Sequence, residues 1–301
     1  MGQALASASP AAAAVFGEAD DALGQPISRL AWDGPSETLD RTENAQPALL
    51  ATSIAYLAAF RERGDGKDAQ PAFAAGHSMG QYSALVAAGV VSLGDGIRLV
   101  RERGRLMQAS GEGRDGAMAA ILGLDDARLP ELIAEASANG VFGIANRNAP
   151  GQVVVSGERR AVEAAAEIAK RLGARKTIVL PVSVAAHSPL MAAAADGMRA
   201  VLSDVRFSDP AVPLLANADA HLLTTGDACR AELVEHLTTG VDWMRAVETM
   251  AAAGVTTFVE VGPGRVLTGL IKRIAPDVEA VALDDPAAAD RLAQPALPTP
   301  A

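Results

Sequence analysis

The chain has 301 residues, half of them hydrophobic and 21% charged, which is apolar material for one large domain or a domain carrying a smaller one and excludes a disordered chain. With 36 acidic against 26 basic residues the formal net charge is −10, and only 3% of residues are aromatic; a general nucleic-acid binder and an aromatic stacking platform are both excluded. The lone cysteine, Cys229, permits no internal disulfide and reads as a passive core residue. His77, His187, His221 and His236 have no metal-ligand spacing, so no metal site is expected. No apolar run reaches the ~18 residues of a membrane span, and the opening Met1-Gly2-Gln3-Ala4 lacks the basic start of a secretory signal. A cytoplasmic monomer that binds neither membrane nor nucleic acid is expected.

In chain order, Pro10–Leu23 predicts a helix with Val15, Phe16 and Leu23 on one face, and 46–61 a second, with Pro47 in its first turn. Residues 71–76 read as a short buried strand ending in glycine, 78–88 as the helix after it, and 94–107 as a helix with Arg98, Arg101, Glu102 and Arg105 on its polar side. A separate unit follows: strand 116–124, helix 125–138 capped by Asp125 or Asp126, strands 142–146 and 152–156 around a turn at 148–151, helix 158–172, strand 176–180. The order βαββαβ is the ferredoxin-like arrangement, here at 115–181 as a small domain inserted into a larger α/β one formed by 1–114 and 182–285. The larger part resumes with strands at 212–217 and 256–261 and helices at 227–237, 243–253 and 265–274. The Ala/Pro-rich tail, 286–301, is expected to be disordered.

The sharpest local signal is Gly76-His77-Ser78-Met79-Gly80, which fits GxSxG. The pattern holds a serine hydroxyl on a tight strand-to-helix turn, with flanking glycines relieving Cβ clashes and the N–H of Met79 free to meet an oxyanion. A serine nucleophile needs a base. His77 adjoins Ser78, His221 sits in a polar loop and His236 in a helix; His187, in a loop after the small unit, is better placed, although position alone leaves the choice open.

The segments GHSMGQYSALVAAGVVSLGDGIRLVRERGRLMQ, NRNAPGQVVVSG, LPVSVAAHSPLM and FVEVGPGRVLTGLIKRI occur in this order. Together they resemble the malonyl-CoA:acyl carrier protein transacylase family, part of the wider acyltransferase class of fatty-acid and polyketide synthesis, over Met1 to about Leu283. The resemblance implies an α/β-hydrolase-like large domain with a parallel sheet and an inserted ferredoxin-like domain. It implies ping-pong transfer of malonyl from malonyl-CoA to the phosphopantetheine thiol of acyl carrier protein, through an ester on Ser78 with His187 as base and then acid, and no cofactor. A main-chain carbonyl near His236, where the family usually has glutamine, would orient His187. Arg103 matches the arginine that pairs the malonyl carboxylate; a guanidinium fork suits a carboxylate and disfavours neutral acyl groups. Gln46, Asn146 and Asn217 match polar pocket positions, and Met79 with residues 184–187 bounds the acyl group.

The family pattern opens with an apolar strand and Gly-Gln-Gly-Ser-Gln ahead of the segment that matches Met1, so a first strand and one side of the oxyanion hole are expected to be missing at the N-terminus, through a misplaced start or a real truncation. Two other readings stand beside transfer: a serine esterase on a related fold, which would have no use for Arg103, and a truncated, inactive domain that only binds carrier. Basic clusters at Lys170-Arg171 with Arg175-Lys176, and at Lys272-Arg273, are candidate contacts for an acidic carrier.

Overall fold

The computed structural model describes residues 1–63, 70–113, 115–182 and 184–284; the expected tail and the boundary residue 114 lie outside them. The chain begins with helices α1 (Gln3–Ala8), α2 (Pro10–Leu23), α3 (Ile27–Asp33), α4 (Ser36–Leu39) and α5 (Thr42–Glu62). Ser9 caps α2 by accepting the N–H of Ala12 at 3.0 Å, Pro10 occupies the first turn, and Gly24 ends it at φ 60°. Helix α5 starts at Thr42, ahead of the expected residue 46, and carries Pro47 inside it, where the carbonyl of Glu43 loses its intrahelical donor. Next come α6 (Gly80–Ala87) and α7 (Leu93–Gly111). Ser92 caps α7 by accepting the N–H of Asp95 at 3.1 Å. A Cβ on Gly104 would lie 2.6 Å from Cα of Glu43, so this glycine lets α7 cross directly on α5.

The middle of the chain forms β1 (Gly116–Leu122), a 3-10 turn, α8 (Leu129–Ser137), β2 (Phe142–Ala149), β3 (Gln152–Glu158), α9 (Arg159–Arg171) and β4 (Lys176–Val179). The helix expected over 125–138 is divided: Asp125 caps the turn Asp126–Arg128, and α8 starts at Leu129 because Pro130 fits only a first turn. The four strands pair antiparallel in the order β4-β1-β3-β2. Ala119, Ile121, Leu132, Val155, Val162 and Ala165 form their own core between sheet and helices.

The last part holds α10 (Ala192–Ser203), β5 (Leu214–Leu215), β6 (Leu222–Leu223), α11 (Gly226–Thr239), β7 (Val241–Asp242), α12 (Trp243–Ala252), β8 (Thr257–Val261), α13 (Val266–Ile274) and β9 (Glu279–Leu283). Strand β7 pairs parallel with β2 and so adds a fifth strand to the middle sheet. Helices α1, α3, α4 and α10 and strands β6, β7 and β9 had no counterpart in the sequence reading. The strand expected over 71–76 is an extended run with a single parallel bridge, Ala74 to Leu214. The strand expected over 212–217 shrinks to two residues: Pro213 has no N–H to donate, and the chain turns back at Asn217. Parallel pairing among the described residues is confined to that bridge, β2–β7 and β8–β9. The result is a mixed α/β fold. Phe16, Leu50, Leu85, Leu99, Met198 and Leu233, from α2, α5, α6, α7, α10 and α11, share the largest core, which abuts the Ser78 turn through Met79. Among the described residues no helix is long and apolar enough to cross a membrane.

Candidate active site

Ser78 stands on the turn between the extended run and α6, at φ 53°, the left-handed region that non-glycine residues rarely occupy. The turn is tight enough that a Cβ on Gly76 would fall 2.1 Å from the carbonyl carbon and oxygen of Gly80. Gly80 itself has nothing within 4 Å of a built Cβ, so the clash relief expected of both glycines is needed only at Gly76. Two contacts pin the turn. Asn217 Oδ1 accepts the N–H of Ser78 at 2.8 Å, and Gln81 Oε1 accepts the N–H of Gly76 at 3.2 Å. His77 points away from Ser78, and its Nε2 lies 2.9 Å from Asn148 Oδ1 at the end of β2.

His187, also at a positive φ of 58°, brings Nε2 to 2.8 Å from Ser78 Oγ. Its Nδ1 lies 2.7 Å from the carbonyl oxygen of His236 on α11. A carbonyl only accepts, so Nδ1 carries the proton and Nε2 is left to accept from the serine hydroxyl. Burial, reinforced by the nearby Arg103 cation, pushes the His187 pKa down to about 3, against the raising effect of the His236 carbonyl. The resting imidazole is therefore neutral, as a base must be.

Arg103 comes from α7, buried at 2% exposure. Its Nη1 donates to Gln46 Oε1 on α5 at 2.8 Å and its Nη2 to Ser78 Oγ at 3.0 Å. Gly104, by seating α7 on α5, is what brings Arg103 and Gln46 face to face. Among the described residues no carboxylate pairs with Arg103, and Nε has no hydrogen-bond partner. Burial lowers its pKa, yet a guanidinium stays charged in any protein. An unpaired buried cation beside a serine–histidine pair is a built anion-recognition feature. By contrast Arg98 and Arg105 on the same helix lie on the surface and pair with Asp95 and Glu102.

The structure thus joins Ser78, His187, Arg103, Gln46, Asn217 and the carbonyl of His236. Met79 follows Ser78 and packs against the main core. Asn146 is buried on β2, but no described hydrogen bond ties its side chain to this group. The His236 side chain lies under His187, ring centroids 5.8 Å apart, with Nδ1 3.0 Å from its own helix carbonyl at Glu232. Sequence reasoning passed over Glu232 and Gln81; each sits one helical turn from a residue that was singled out. A groove of about 600 Å³ between α10 and α11 is lined by Asp196, Arg199, Asp227 and Arg230 and contains none of the six joined residues. Of the basic clusters, Lys170 pairs with Glu167, and Arg171 with Glu131 and Glu135.

A serine at positive φ, a neutral histidine oriented by a carbonyl and a buried arginine stand together, an arrangement chemically able to carry serine-dependent group transfer on an anionic substrate. The chain belongs to the acyl transferase domain family, whose pattern matches residues 1–283. It is 45% identical over 284 residues to the malonyl CoA-acyl carrier protein transacylase of Escherichia coli (strain K12), covering 94% of this chain and 91% of that protein. Among solved structures it is similar to an acyl-carrier-protein-S-malonyltransferase from Bartonella henselae, with TM-score 0.92, 41% identity and coverage of 97% of this chain and 93% of that one. It is equally similar, at TM-score 0.92 and 40% identity over 97% of this chain and 94% of that one, to a malonyl-transacylase in complex with its type II PKS acyl-carrier protein.

Proposed function

We propose that this chain moves a malonyl group from malonyl-CoA to the phosphopantetheine thiol of an acyl carrier protein by way of an ester on Ser78. The observation that carries it is the position of Arg103, whose guanidinium is 3.0 Å from Ser78 Oγ. An acyl group esterified there has its distal carboxylate within reach of a buried cation that pairs with no carboxylate among the described residues. In the first half-reaction the Ser78 hydroxyl gives its proton to His187 Nε2 and Oγ bonds to the thioester carbonyl carbon. The oxyanion meets the N–H of Met79 at the start of α6. The carbon–sulfur bond breaks, and the CoA sulfur leaves with the proton from His187. In the second, the carrier thiol passes its proton to His187 and attacks the ester, and Ser78 departs with that proton. These steps need no cofactor.

The carboxylate does more than bind. Arg103 is one of the charges that depress His187. A malonyl carboxylate paired with Arg103 offsets that part of the depression, while burial, its larger cause, remains. Gln46 holds the Arg103 fork in place, and the His236 carbonyl holds the His187 ring. Asn146 and Met79 bound the acyl pocket in this reading. An esterase would leave the Arg103 charge without a ligand.

The finer architecture fits the same proposal: 1–114 with 182–285 as an α/β-hydrolase-like part, 115–181 as a ferredoxin-like insert. The antiparallel order β4-β1-β3-β2 with two crossing helices supports the insert. The substrates, a coenzyme A thioester and a carrier protein, support a cytoplasmic setting for the reaction. The test is intact-protein mass spectrometry after brief exposure to malonyl-CoA and, separately, acetyl-CoA. One malonyl adduct is expected, absent in Ser78→Ala and discharged by added holo carrier. A folded chain that takes up no adduct, or a Ser78→Ala variant that still does, overturns the proposal.

A further inference from the structure

Glu232 is a buried carboxylate that the steps above do not use. It lies on α11 with 3% of its surface exposed. No lysine or arginine pairs with it among the described residues. Instead its Oε1 accepts the main-chain N–H of Asn217 at 2.6 Å. Asn217 is the residue whose Oδ1 accepts the N–H of Ser78 at 2.8 Å. The Asn217 carbonyl in turn accepts the N–H of Asp242 at 2.6 Å, fixing the residue from the β7 side as well.

Both contacts call for an acceptor: Glu232 Oε1 meets the Asn217 main-chain N–H, and Asn217 Oδ1 meets the Ser78 N–H. By fixing the Asn217 main chain from the α11 side, Glu232 fixes the point from which Oδ1 anchors the Ser78 turn. The anchor matters because Ser78 is held at φ 53°, a conformation that persists only where its surroundings enforce it. One turn further along α11, at i+4, the carbonyl of His236 holds His187 Nδ1 at 2.7 Å. One face of one helix thus reaches both members of the reacting pair, the histidine directly and the serine through Asn217.

We propose that Glu232 is a positioning residue for acylation, acting through Asn217 to hold Ser78 in register with His187. This rests on the transferase reading above. The groups that face Glu232 are His236 Nδ1 at 3.8 Å, Glu235 and Cys229 on α11, His221 beyond β5 and Tyr82 on α6. Among the described contacts Glu232 is the side chain that accepts the Asn217 main-chain N–H. Arg103 and Gln46, on α7 and α5, do not touch Glu232, so malonyl binding and Ser78 positioning are separable.

The test is rapid-quench measurement of the malonyl-Ser78 burst in wild type, Glu232→Ala, Glu232→Gln, Asn217→Ala and the double variants, with the rate expressed per active site from the burst amplitude. Glu232→Ala is expected to slow acylation about 10- to 100-fold, with the KM for malonyl-CoA unchanged. Glu232→Gln keeps one acceptor oxygen but makes a weaker, neutral hydrogen bond to the Asn217 N–H, and should be slower than wild type by no more than about 10-fold. Each double variant should be no slower than Asn217→Ala alone, because the two residues act in series. A wild-type chain that forms no ester overturns the transferase reading itself. Wild-type acylation with an unchanged rate per site in Glu232→Gln and Glu232→Ala, or multiplicative losses in the double variants, overturns the role of Glu232 instead. If Glu232→Ala does not fold, Glu232→Gln and its double variant with Asn217→Ala decide by the same criteria. A purely structural role would lower the melting temperature or the burst amplitude and leave the rate per site alone.

Discussion

Replacing Arg103 by methionine separates recognition from scaffolding. The side chain is 2% exposed, keeps an unbranched stem in the variant, and loses two hydrogen bonds, to Gln46 at 2.8 Å and to Ser78 at 3.0 Å. Removing one member of a buried, hydrogen-bonded charge pair costs about 2–5 kcal/mol in the bound state. At about 1.4 kcal/mol per factor of ten, kcat/KM for malonyl-CoA should fall roughly 30- to 4,000-fold. The free protein should respond in the opposite direction. Arg103 has no carboxylate partner among the described residues, so the variant sheds an uncompensated buried charge and should be as stable as wild type or more so, by up to about 1–3 kcal/mol after the two lost hydrogen bonds are subtracted. His187 also regains basicity when the neighbouring cation goes, so transfer from acetyl-CoA should hold steady or rise. Burst kinetics with both thioesters and urea denaturation at one pH read all three quantities. An unchanged malonyl-to-acetyl ratio would refute the assignment of Arg103. Equal losses on both substrates together with a large loss of stability would show that the guanidinium is a structural strut.

Other substitutions probe the frame around the site. Gly76→Ala puts a Cβ 2.1 Å from Gly80 backbone atoms and should destabilise by about 2–4 kcal/mol, whereas Gly80→Ala meets nothing within 4 Å and should be neutral or slightly stabilising; denaturant midpoints distinguish the two. Burial pushes the Glu232 carboxyl up to about 7 from an ordinary 4.5, with the Asn217 main-chain hydrogen bond opposing it. A raised carboxyl favours folding while protonated, so its contribution is complete below about pH 4.5 and is lost as pH rises through about 7, on the order of 3 kcal/mol in all. Glu232→Gln does not titrate, so its stability relative to wild type should increase from pH 4.5 to pH 8; a flat difference across that range would mean the carboxyl is already charged at the low end. Asn148→Ala removes the acceptor 2.9 Å from His77 Nε2 and should cost about 1 kcal/mol by thermal unfolding, with little change in acylation because His77 faces away from Ser78.

The parts of this molecule that were legible in its sequence are those fixed by local rules. The helix Pro10–Leu23 carries its own cap, proline and terminal glycine, and the structure places it at those bounds. The βαββαβ order was readable because each of its strands has an antiparallel partner inside the same stretch of chain, so local pattern and pairing coincide. The elements that went unread depend on distant partners. Strand β7 is two residues long and exists only because β2 lies beside it, and β9 is defined by its parallel pairing with β8. The site divides along the same line. Ser78 announces itself through a five-residue turn motif, but the choice among histidines needs the fold, since His187 meets Ser78 across 109 positions of chain. Arg103 illustrates the difficulty most sharply. It sits among Arg101 and Arg105 on one helix, and composition cannot say which of the three points inward. Only the close crossing at Gly104, which turns Arg103 toward Gln46 and leaves Arg105 at the surface with Glu102, makes one arginine a buried cation and another a solvated charge. Glu232 was hidden for the same reason: a glutamate in a helix is ordinarily a solvent-facing residue, and its meaning comes from the asparagine, 15 positions away, that it holds against the serine.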